Sequence, residues 1–69
     1  MVNTNLLKSK IKLNGMTQEE VSKAIGINPS TFSQKLNNEP GYVFSITEAS
    51  AIGETLSIKS SEMPKIFFA

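Results

Sequence analysis

The chain contains no cysteine and no histidine. Without thiols it can form neither a disulfide nor a cysteine-based zinc or redox site, and without imidazole a transition-metal site would need carboxylates alone. No metal and no cofactor is therefore expected. Arginine is missing as well, since all seven basic residues are lysines. Electrostatic attraction to phosphate remains available, but bidentate guanidinium recognition does not. Long apolar runs are absent too: none approaches the roughly 18 residues of a bilayer span. The opening stretch MVNTNLLKSKIKLNG breaks its hydrophobicity with lysines too early for a signal peptide. The expected setting is the cytoplasm, with no membrane partner. There is no phosphate-cradling glycine loop, and the only adjacent carboxylates, Glu19 and Glu20, fall in a helix first turn, where they complement the helix dipole. An enzyme acting on a small-molecule substrate is thus the weakest reading.

What is present fits one small domain. The 69 residues are read as a single unit spanning 1–69, close to the lower limit at which one hydrophobic core suffices without staples. The formal net charge is only +1, but residues 1–38 carry five lysines against two glutamates and residues 39–69 carry two against four. The front half is basic and the back half mildly acidic.

Apolar spacing and end signals predict four short helices and a plausible fifth. The first runs from about Asn5 to Asn14, with Leu6, Leu7, Ile11 and Leu13 as its apolar set and Gly15 as its stop. Thr17 to Val21 holds a full helix-start signature: Thr17 as N-cap, Glu20 reaching back to it, and Met16 stapling onto Val21. Val21, Ala24 and Ile25 are expected to face inward before Gly26 ends this second helix. The chain turns at once. Asn28 caps a third helix, Pro29 fills its first position, and the helix ends near Leu36 or Asn37. Asn37 to Phe44 reads as a loop whose aromatics Tyr42 and Phe44 fold back over the core. Ser45 and Glu48 form a second capping box, opening a fourth helix with a buried stripe of Ile46, Ala49, Ile52 and Leu56. Gly53 within it costs about 1 kcal/mol relative to alanine, which a close helix approach would offset. A last short helix from Ser61 would put Met63, Ile66 and Phe67 on one face, although Ile66 to Phe68 could also be extended.

The third helix carries the chemistry. At about 100° per residue, Pro29, Phe32 and Leu36 fall inward, while Ser30, Thr31, Ser33 and Gln34 fall outward or on the edges. Exposed helix faces ordinarily favour Glu, Lys and Ala. Hydroxyls and amides instead offer donors and acceptors to base edges in a major groove, and glutamine can pair bidentately with adenine. The plain alternative is a solvated face with no ligand. Gln18 is either an ordinary helix-start residue or a phosphate contact. Lys8, Lys10, Lys12 and Lys23 read as solvated charges, and Lys35 has the best position of the lysines for a contact.

The segment Thr17 to Leu36 resembles the helix-turn-helix of small phage Cro and repressor proteins. The resemblance rests on Gln18, Gly26, Ile27, Phe32 and Leu36, and extends more loosely from Ser45 to Ile58. It implies an all-α, lambda-repressor-like bundle that binds double-stranded operator DNA and represses transcription in a bacterial host cell, commonly as a homodimer on DNA. It also implies base reading by Ser30, Ser33 and Gln34, with Thr31 beside them, and backbone contacts from Gln18, Asn28, Lys35 and Asn38. Two departures stand out: Ser22 occupies a crossing point where the family usually has alanine, and Pro29 stands where a base-reading glutamine is often found. A protein-interaction module of the same fold, antitoxin-like or an adaptor, is the alternative, engaged through Tyr42 to Phe44 or Met63 to Phe68. Whether Met63 to Phe68 is core or dimer interface stays open at this point.

Overall fold

A computed structural model describes every residue from Met1 to Ala69 and contains five helices and no strand. They are α1 (Thr4–Leu13), α2 (Gln18–Ala24), α3 (Pro29–Leu36), α4 (Ile46–Thr55) and α5 (Met63–Phe67), packed into a body of 26 × 23 × 21 Å.

The starts follow local chemistry. Thr17 Oγ1 accepts from Glu20 N at 3.1 Å while Thr17 N donates to Glu20 Oε1 at 2.8 Å, and Ser45 and Glu48 repeat the arrangement at 3.0 and 2.9 Å. Two of the four N–H groups that a helix start leaves unpaired are thereby engaged with carboxylate or hydroxyl oxygen. At α3 the cap is Asn28, whose Oδ1 accepts from Ser30 N at 2.8 Å. At α1 it is Asn3 rather than a residue nearer Asn5, because the NTN run offers several competent caps in succession.

Four helices stop in the same way. Gly15, Gly26, Asn38 and Ser57 each turn left-handed at φ +66°, +77°, +58° and +53°. The next amide then reaches back to the final turn, as when Ile27 N donates to Ser22 O at 2.9 Å and Ile58 N to Gly53 O at 2.9 Å. The two glycine stops are readable in sequence; Asn38 and Ser57 are not. Serine at positive φ carries a Cβ clash of about 1 kcal/mol, partly cancelled in glycine by a larger loss of chain entropy. Ser57→Gly is therefore expected to stabilise the fold by about 0.5 kcal/mol, seen as a thermal midpoint raised by a few degrees.

Phe32, Leu36, Leu7, Val21, Ile52 and Ile66 are fully enclosed, with Ile11, Leu56, Phe67 and Ala49 around them. Phe44 lies half-buried between two aromatics, its ring 5.5 Å from Phe32 and 5.9 Å edge-on from Phe67. Of the loop aromatics, only Phe44 folds over the core, and Tyr42 is exposed. Leu13 is 76% exposed and Ile46 82% exposed, against expectation. Leu13 lies two residues beyond Ile11 and so about 200° around the helix, while Ile46 and Pro29 each open a first turn that projects past the core. Ala24 is also exposed, because Ser22 shares the enclosed part of α2 with Val21. The close approach expected at Gly53 is real, but its neighbour is a side chain: a Cβ there would meet Met63 Sδ at 2.9 Å. Met63 to Phe67 is helical, with Ile66 and Phe67 in the core and Phe68 outside it.

The chain ends brace α3. Asn38 presents its side-chain amide as a backbone would, accepting from Val2 N and donating to Val2 O, both at 2.8 Å. Thr4 Oγ1 donates to Leu36 O at 2.8 Å, and Asn3 N donates to Ile66 O at 2.7 Å. Lys10, expected in solvent, is paired with Glu62 at 2.8 Å and ties α1 to the start of α5.

Candidate nucleic-acid interface

Helices α2 and α3 meet through a two-residue link after Gly26, whose positive φ allows the chain to reverse within a single turn. Ser22 of α2 is fully enclosed, and its hydroxyl donates to Glu19 O at 2.7 Å. That hydrogen bond removes the penalty of burying its oxygen. Phe32 and Leu36 anchor the inner side of α3, with Ile25 and Ile27 packed against the core on either side of the turn.

This anchoring fixes what α3 shows to solvent. Ser30 is exposed, and Thr31, Ser33 and Gln34 are half-buried along the same outer side. Ser33 Oγ accepts weakly from Asn37 Nδ2 at 3.3 Å, so its own O–H is free to donate. No buried side-chain nitrogen or oxygen is without a partner. The Gln34 amide, which bonds no other residue, therefore reaches solvent with both its donors and its acceptor.

The four residues expected at the DNA backbone divide into two pairs. Asn28 uses its Oδ1 on Ser30 N, and on this exposed residue the amide N–H groups bond no other residue. Gln18 opens α2 and lines a shallow depression with Lys8 and Lys12. Asn38, by contrast, is bound to Val2, and Lys35 Nζ lies 2.8 and 2.9 Å from the two carboxylate oxygens of Glu48. Glu48 is the residue whose part at this site sequence reasoning missed. Its capping box was legible, but the pairing spans a 13-residue separation across an irregular loop, and no local spacing signals it.

The Lys35 ammonium holds the Glu48 carboxyl below its ordinary value of 4.5; partial burial opposes this and the Ser45 N–H assists it. Glu62 is lowered in the same sense by Lys10. A carboxyl that ionises more readily folded than unfolded adds stability that is fully present above the unfolded pKa. That stability is lost as pH falls through the lower, folded value. Denaturant unfolding followed from pH 7 down to 3 should thus show stability declining below about pH 4.5, and Glu48→Gln should flatten that decline.

Two short helices joined at a glycine, the second held by an enclosed aromatic and presenting neutral hydrogen-bonding groups, define a helix-turn-helix DNA-binding fold. The profile of the Cro/C1-type HTH DNA-binding domain matches residues 6–63, and the chain belongs to that family. The protein is accordingly a DNA-binding regulator in its general class. No curated protein and no solved structure matches the chain.

Proposed function

We propose that the protein is a Cro-like repressor of phage or prophage type that binds operator DNA in the cytoplasm of a bacterial host, with α3 in the major groove. The observation that carries this reading is the outer side of α3, where Ser30, Thr31, Ser33 and Gln34 stand together on a rigidly anchored helix. Gln34 and Ser33 are suited to base edges, Ser30 to either base or sugar, and the Thr31 methyl to a thymine methyl. Gln18 and Asn28, at the starts of the two helices, are placed to contact phosphates and set the register. Asn38 acts in this reading as a brace for α3 through Val2.

A homodimer on DNA is part of the proposal. Met1, Tyr42, Val43, Ile46 and Phe68 are large apolar residues left exposed, and all border one groove of about 460 Å³. A patch with both a groove and projecting side chains can pair with its own copy about a two-fold axis. Association through it alone is expected to be weak until DNA aligns the subunits. The same patch also supports the second reading, a protein-interaction module engaged through Tyr42 to Phe44.

Selection of bound duplexes from a random pool separates these readings. The expected product is an enriched motif of two inverted half-sites, about one helical turn apart centre to centre. A lone half-site would contradict the dimer. No enrichment at low salt would contradict sequence-specific reading.

A further inference from the structure

Lys35 is the only charged residue of α3. Its ammonium contacts both oxygens of Glu48, and the two side chains are only 17% and 19% exposed. Glu48 does not depend on Lys35 for its position, because its Oε1 also accepts from Ser45 N at 2.9 Å in the capping box of α4. A carboxylate held in place by the backbone thus offers the lysine two anionic oxygens, as a DNA phosphate would. The contrast is Lys23, whose contact with Glu19 is longer, at 3.6 Å, between side chains 71% and 65% exposed.

On the reading of α3 as the DNA-contacting helix, we propose that Glu48 is a specificity-determining residue. It holds the only cation of α3 away from DNA phosphates and so suppresses binding to DNA of any sequence. Phosphate contacts position a protein without carrying sequence information, and each one steepens the salt dependence of binding by about 0.9 in log–log slope. A lysine released on the edge of α3 beside Thr31 would add one such contact to every sequence alike. With it engaged, discrimination rests on the neutral side chains. The missing arginines and the net charge of +1 point the same way, toward weak general attraction and reliance on direct reading.

The test uses the full chain, fluorescence anisotropy, and two duplexes across a salt series: the selected site and a random sequence. Glutamine also serves at the third position of a capping box, so Glu48→Gln keeps the start of α4 while removing the charge. Glu48→Gln should bind random duplex several-fold more tightly, with a slope steeper by about 0.9 per subunit and a reduced preference for the selected site. Adding Lys35→Gln to it should return the slope to that of the unaltered protein. Lys35→Gln alone should leave the slope unchanged, because the ammonium touches no phosphate to begin with. The proposal is overturned by a slope unaltered in Glu48→Gln, by a steeper slope persisting in the double variant, or by a shallower slope in Lys35→Gln alone. If the unaltered protein prefers no sequence over random DNA, the DNA-reading assignment fails and this proposal falls with it. A retained preference alongside an unaltered slope overturns this proposal only.

Discussion

Phe32→Ala is expected to leave most of the protein unfolded at 37 °C. Phe32 is wholly enclosed, and its ring packs at 5.5 Å against Phe44, which in turn meets Phe67 edge-on at 5.9 Å. Removing it loses the burial of the ring and leaves a cavity that five short helices can close only in part. The cost of such a change is about 3–5 kcal/mol. A domain of 69 residues has a total stability of about 3–10 kcal/mol, so the change consumes a large share of it. The loss also falls on α3 itself, since Phe32 and Leu36 are its two enclosed anchors. Circular dichroism should show a low, broad melt, and DNA binding should disappear with the helix signal. A loss under about 1 kcal/mol would mean that the core is not centred on this ring.

Gln34→Ala is expected to do the opposite: the fold stays intact and recognition suffers. The side chain makes no hydrogen bond within the protein and alanine favours helix slightly more, so melting should be unchanged or marginally higher. At the operator the amide is proposed to pair with one base, and its loss should reduce discrimination there by about 1–3 kcal/mol. Measured against duplexes carrying each of the four base pairs in turn, the variant should become nearly indifferent at a single position and remain selective at the others. Uniform weakening at every position would instead indicate that Gln34 supports the helix or touches the backbone.

How much of this could be read beforehand depends on whether the cause is local. Thr17 with Glu20, Ser45 with Glu48, Asn28 before Pro29, and the glycine at 26 act within four residues of one another, so the helix starts and the central turn were legible from spacing alone. Apolar spacing marks the enclosed side of α3 but not where the core ends: Ile46 and Pro29 open first turns that project past it, and Leu13 falls on the far side of α1 from Ile11. Partnerships across the fold were not legible. Lys35 with Glu48, Asn38 with Val2, and Lys10 with Glu62 join segments 13, 36 and 52 residues apart. The first two bear directly on the site, for they engage two of the four residues expected at the DNA backbone.

The outer side of α3 can be tested directly. The chain is small enough for two-dimensional ¹H–¹⁵N spectra to resolve its amides during titration with the selected duplex. The expected shifts cluster from Ser30 to Gln34 and at the starts of α2 and α3, near Gln18 and Asn28, with smaller changes along the groove of Tyr42 to Ile46 as subunits pair. Shifts confined to that groove and Phe68, with α3 unmoved, would contradict α3 as the reader.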